Sequence, residues 1–209
     1  MQPAPMSVPW WVPLWASAIS GSTVLNILSP DAPLLPKRPP SRWTPDMQRD
    51  TPAGRLPAHP SEPEISLWLN TPAPIRLPDL EGRVVMILAF QMFCTGCARE
   101  AVPQMMRVRQ TFPEDRVAVI GLHTVFEHHA ANTVEALTAF LHENRVTVPV
   151  GIDAPGPRGP LPLTMAAWNL QGTPSLILLD RAGRVRRKTF GHVDDLRLGA
   201  EIAWLLAED

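Results

Sequence analysis

Residues 61–209 predict an α/β fold, a mixed central β-sheet flanked by helices, and three observations carry that expectation. Val84–Phe90 and Val117–Leu122 are unbroken apolar runs of strand length, the pattern of strands covered on both faces. Segments with helical spacing separate these runs from later ones. Two further strand-like runs, Ser175–Leu179 and Val185–Phe190, flank Asp180-Arg-Ala-Gly183, which is a hairpin signature. Helices alternating with strands and then a hairpin give a layered fold rather than a bundle or a sandwich.

Taken in chain order, Ile65–Leu69 and Ile75–Leu77 read as short strands joined by the turn residues Asn70 to Pro74. Residues 98–110 can form a helix that Pro103 should kink. Val134 to His142 places Val134, Leu137, Ala139 and Leu141 at roughly amphipathic spacing, and a short strand is expected at Val148–Ile152. Ala154 to Pro162, rich in proline and glycine, reads as a loop, followed by a brief helix from Thr164 to Trp168. The last helix is expected to start with Asp194 as its N-cap and to turn Leu198, Ile202, Leu205 and Leu206 inward.

Composition separates this domain from what precedes it. The chain has 209 residues and 25 prolines, 13 of them in the first 60 residues. Residues 1–60 are therefore expected to form a Pro-rich, irregular extension, since proline fixes φ and removes backbone donors. No charged residue precedes Asp31, and 13 of the 21 residues from Val8 to Leu28 are apolar. A secretory signal would need a basic n-region, and Pro9, Pro13 and several hydroxyl residues make 8–28 a poor membrane span. Were it to span, Lys37, Arg38 and Arg42 would hold the domain on the cytoplasmic side. Translation from Met47 would remove the stretch altogether. A cytoplasmic location is expected, with membrane-anchored or periplasmic placement as the alternative. The net charge of −1, from 19 basic and 20 acidic side chains, argues against a nucleic-acid partner.

The two cysteines, Cys94-Thr-Gly-Cys97, follow directly on a buried strand and open a helix. First-turn amides and the helix dipole favour negative charge there, and the spacing lets the second sulfur reach the first. The same spacing is half of a zinc site. A structural zinc takes four ligands, no second cysteine pair exists, and the histidines at 123, 128 and 129 lie in another segment. No metal and no cofactor are expected.

Val84–Phe93, then Cys94-Thr-Gly-Cys97, then Gly172-Thr173-Pro174 before the hairpin strands, together resemble the thioredoxin superfamily. Within it the likeness is to TlpA-like (ResA-like) thiol-disulfide oxidoreductases and related redoxin domains, over about residues 62–208. The resemblance implies a thioredoxin-like fold, with Cys94 as nucleophile and Cys97 as resolving thiol, the two forming a redox-active disulfide. It implies that Pro174 is a cis-proline beside the dithiol and that Thr173 offers backbone groups to an extended substrate. Phe93 stands where most members carry a tryptophan, and is assigned with Thr173 and Pro174 to substrate binding. Glu100, six residues after Cys94, matches a glutamate often found near the active site in TlpA-like proteins and is a candidate for proton exchange with Cys97. The chain also departs from the pattern. Leu88 replaces the buried aspartate six residues before the first cysteine, and Pro103 falls one residue later than usual.

The resemblance therefore implies a thiol-disulfide oxidoreductase, most simply a reductase. Its partners would be a protein or small-molecule disulfide and an upstream thiol reductant. Two alternatives stand beside it. A redoxin-type peroxidase would need a proline and a hydroxyl residue before the cysteine; both are missing, and Gln91 occupies the hydroxyl position. A non-catalytic binding module would use the fold and the Pro-rich arm alone, which an intact Cys-x-x-Cys at a helix start argues against. Arg184, Arg186, Arg187 and Lys188 read as a basic patch protecting an outer strand, and Met105, Met106, Trp168 and Trp204 as packing residues.

Overall fold

Six strands form one mixed sheet in the computed structural model, which describes residues 58–157 and 159–208. The expectations for residues 1–57, including the span at 8–28 and the start at Met47, lie outside the described residues. The strands are β1 (Ile65–Leu69), β2 (Val84–Phe90), β3 (Val117–His123), β4 (Val150–Asp153), β5 (Ser175–Leu179) and β6 (Val185–Phe190). Their spatial order is β1-β4-β3-β2-β5-β6. β4, β3 and β2 run parallel, while β1, β5 and β6 pair antiparallel with their neighbours.

Central β2 is buried at all seven positions, and strand alternation sends its side chains into two cores. Val84, Met86, Leu88 and Phe90 join Val102, Met105 and Val108 of α1 (Val102–Thr111). The same core takes Leu137 and Leu141 of α2 (Val134–Glu143) and Leu198, Ile202 and Leu205 of α4 (Asp195–Ala207). Val85, Ile87 and Ala89 face the other core with Met165 of α3 (Leu163–Ala167) and Trp168. The Asp194 carboxylate accepts from the amides of Leu196 and Arg197, as an N-cap does. The hairpin β5–β6 is present with the expected bounds. Among the described residues no helix is long and apolar enough to cross a membrane.

Three expectations need correction. Ile75–Leu77 is not a strand; Leu77–Leu80 is a 3₁₀ turn, closed by Asp79 N–H donating to Arg76 O at 3.1 Å. Pro78 has no amide to give a ladder, which favours the turn. The helix after the dithiol is not merely kinked at Pro103. Residues Cys97–Ala101 form a π turn that runs into α1, with Val102 N–H donating five residues back to Cys97 O. The basic run on β6 is not a free patch. Arg184 and Arg186 pair with Asp180, Arg186 also with Glu208, Arg187 with Glu201, and Lys188 donates to the carbonyls of Trp168 and Asn169.

Two buried titratable groups sit at the ends of β3 and β4. Asp153 accepts from Thr124 Oγ1 at 2.9 Å and from the amides of Thr164 and Met165 at 2.8 and 3.0 Å, fastening β4 to the start of α3. His123 is buried beside the Phe90 ring, centroids 5.4 Å apart, and its Nε2 has no hydrogen-bond partner among the described residues. Burial pushes its pKa down from 6.5 to about 4. Between those values the unfolded chain takes up a proton that the native state refuses, so stability falls as the pH drops through this window. Replacement His123→Phe should remove that part of the acid sensitivity. Burial pushes the Asp153 carboxyl up, which acts in the opposite direction, so the readout is the difference between the two proteins. Urea midpoints at pH 7 and pH 4.5 measure it; an identical drop in both would contradict the assignment.

Candidate active site

The dithiol is positioned by the exit from β2. Gln91 O accepts the Cys94 amide at 3.2 Å, turning the chain at Met92–Phe93, and Cys94 O accepts from Ala98 at 3.0 Å as the helix begins. Cys97 N–H donates to Cys94 Sγ at 3.3 Å, a helix-start amide aimed at the sulfur where negative charge would develop. Cys94 Sγ in turn lies 3.4 Å from Thr173 O. Both thiols are free; Cys94 is half-buried and Cys97 wholly buried. Burial, followed by the hydrogen bond to the Cys94 thiol, pushes the Cys97 pKa up from 9.0 to about 12.

Thr173–Pro174 is a cis peptide bond at the entry to β5. The loop carrying it is held from both sides: Ser175 Oγ donates to Gly172 O at 2.7 Å and Gly191 N–H to Pro174 O at 2.8 Å. It rests on the first helical turn, where a Cβ placed on Gly96 would stand 3.7 Å from Pro174 Cδ, ordinary contact. Cys94, Cys97, Thr173 and Pro174 are thus brought together. Phe93 precedes them in the chain, its side chain 57% exposed.

Glu100 is not joined to the dithiol. Its carboxylate is exposed and faces His192 Nδ1 at 3.8 Å, with no hydrogen bond to either thiol. Nor do the histidines gather at the cysteines: His123 points into the core, and His129 Nε2 lies 3.3 Å from Pro160 O.

The sequence does not show what three residues of this region do. Gln91 is buried and its Oε1 accepts from the amides of Phe126 and Glu127 at 3.3 and 3.4 Å, tying the loop after β3 to the dithiol turn. A polar residue closing an apolar run, three before a cysteine, was the available signal. Phe190, 54% exposed, covers Gly172, where an added Cβ would approach the ring to 2.8 Å. Gln104 Nε2 on α1 donates to Val193 O and to Asp195, each at 2.6 Å, which docks the dithiol helix on the start of α4. The partners of Phe190 and Gln104 lie far off in the chain, and no local pattern announces them.

A thioredoxin-like sheet that sets a Cys-x-x-Cys pair at a helix start against a cis-proline loop defines the thiol-disulfide oxidoreductase class of the thioredoxin superfamily. Comparison with known proteins makes this specific: the AhpC/TSA family pattern matches residues 62–188, and the chain belongs to that family as a TlpA-like redoxin. The crystal structure of a thioredoxin-like superfamily protein is 52% identical and superposes with a TM-score of 0.71, covering 73% of this chain and 99% of the other. That of a thiol-disulfide isomerase from Corynebacterium glutamicum is 43% identical, TM-score 0.70, covering 73% and 98%. Protein DipZ of Mycobacterium bovis and of Mycobacterium tuberculosis is 31% identical over 138 residues, 62% of this chain. The chain spans 18% of the length of these curated relatives.

Proposed function

We propose that the protein is a protein-disulfide reductase in which Cys94 is the nucleophile and Cys97 the resolving thiol. The observation that carries this reading is the inequality of the two sulfurs. Cys94 is half-buried and receives a helix-start amide, whereas Cys97 is sealed in the core and held protonated.

The Cys94 thiolate attacks one sulfur of the substrate cystine; that S–S bond breaks, and the departing sulfur leaves as a thiolate that takes a proton. Two of the causes that raise Cys97, its hydrogen bond to the Cys94 thiol and the charge on Cys94, vanish once Cys94 is in the mixed disulfide. Cys97 therefore ionises more readily at the step that needs it. It attacks Cys94 Sγ, the bond from Cys94 to the substrate breaks, and the Cys97 proton passes to solvent or to the sulfur that leaves. The second substrate thiol is released and two electrons have moved, leaving an oxidised Cys94–Cys97 pair for an upstream thiol to reduce. Glu100, exposed and paired with His192, has no required step in this sequence. Phe93, Phe190 and the Thr173–Pro174 loop supply an uncharged rim for an extended, apolar stretch of substrate polypeptide. The cytoplasmic placement expected from the sequence belongs to the same reading.

The test is insulin reduction with dithiothreitol as donor. Acceleration over dithiothreitol alone is expected, together with a reduction potential for the pair near thioredoxin's, about −270 mV; a value near −120 mV would make the protein an oxidant instead. The Gln91 side chain, already engaged by two backbone amides, offers peroxide no hydroxyl. No insulin reduction, with turnover of hydrogen peroxide in its place, would overturn the assignment.

A further inference from the structure

We infer that Pro103 is a positioning residue for Cys97, holding the π turn that aims this thiol into the core. The inference rests on the reading above only in calling Cys97 the resolving thiol.

In a regular α-helix residue 103 would donate its amide to Arg99 O. Proline has no amide, and its ring would collide with that carbonyl. The widened turn over Cys97–Ala101 avoids the conflict, because the ladder changes register just before the proline and Val102 N–H bonds Cys97 O instead. The register change matters for the thiol. Cys97 and Met105 are both 0% exposed and belong to one core, eight residues apart. Eight regular α-helical steps would put Cys97 about 80° away from Met105 around the helix axis. With one residue taken up by the π turn, the separation is effectively seven steps, about 20° short of two full turns, and both side chains face inward. Cys94, by contrast, is fixed from the strand side through the Gln91 carbonyl and faces Thr173 O. The π turn thus leaves one sulfur accessible and seals the other, and single π turns recur at functional sites for this kind of re-aiming.

Replacement Pro103→Ala restores the missing donor and lets the turn relax to α register. A second variant, Val102→Pro with Pro103→Val, removes the amide that closes the π turn on Cys97 O. Each is made in a Cys94→Ser background, and alkylation of Cys97 by iodoacetamide is followed by mass spectrometry, beside a thermal unfolding curve. Cys97 is expected to alkylate at least about tenfold faster in both variants, the change produced by one unit of thiol pKa. With Cys94 restored, the reduction potential of the pair should shift as well. A lowered melting temperature with Cys97 alkylating at the parental rate in both variants would overturn the inference, leaving Pro103 an ordinary helix residue. Because alkylation needs no substrate, this outcome is separate from failure to reduce insulin, which would instead sink the proposed reaction.

Discussion

A Cys97→Ser variant should accumulate a one-to-one covalent adduct with disulfide substrates, and Cys94→Ser should reduce insulin no faster than dithiothreitol alone. The two outcomes differ because the sulfurs are not interchangeable. With Cys97 gone, Cys94 still has its helix-start position and its solvent access, so attack on a cystine proceeds. The mixed disulfide then has no internal thiol to resolve it, for the chain contains only two cysteines. With Cys94 gone, the remaining thiol is still wholly buried, and burial, the largest cause holding its pKa up, persists, so little of it is thiolate at neutral pH and a substrate cystine cannot reach it. It cannot take over the attack. Removing both should be no worse than removing Cys94, as expected for groups acting in one sequence of steps. Non-reducing gels and intact-mass spectra detect the adduct. Turnover by Cys94→Ser, or a Cys97→Ser protein that releases its adduct unaided, would contradict these roles.

Much of this arrangement was legible in the sequence, and each exception has a physical cause. β2 announced itself because seven consecutive apolar residues suit only a strand covered on both faces, and α4 because Asp194 caps an inward stripe. The dithiol could be placed at the end of β2 from the chain itself, whereas its pairing with the Thr-Pro before the hairpin came from the resemblance to the thioredoxin superfamily. Ile75–Leu77 failed because alternation is also what an extended segment between prolines shows; pairing with a neighbour decides, and that is not local. Pro103 predicted a disturbance but not its form, since the side-chain pattern does not say which carbonyl a given amide chooses. The basic run 184–188 looked like a solvated edge because same-sign neighbours are visible in sequence, while Glu201 and Glu208, which neutralise Arg187 and Arg186, lie on α4 or just past its end. At the strand and the basic run what stayed hidden was a partner distant in the chain; at Pro103 it was a choice between neighbouring carbonyls.

Glu201→Leu should lower the stability of the domain severely. Arg187 and Glu201 are 1% and 1% exposed, and the guanidinium meets the carboxylate through both Nε and Nη2. Arg187 also donates to Thr189 Oγ1 at 3.0 Å, and Arg197 Nε to Glu201 Oε1 at 3.1 Å, so β6 and α4 are joined through one carboxylate. Forming such a pair brings little net stability, because two ions must leave water. Breaking it is a different matter: the buried guanidinium keeps its desolvation cost and loses both charge-assisted hydrogen bonds to Glu201, about 3–5 kcal/mol. For a domain of this size that corresponds to a melting temperature lower by roughly 6–20 °C. The double variant Arg187→Met with Glu201→Leu removes both ions while keeping apolar volume, and should recover most of the loss. Thermal unfolding of the two variants beside the parent checks both statements. If Glu201→Leu melted with the parent, the pair would not be buried as described; if the double variant were no better than the single, the deficit would come from lost packing between β6 and α4 rather than from the broken ion pair.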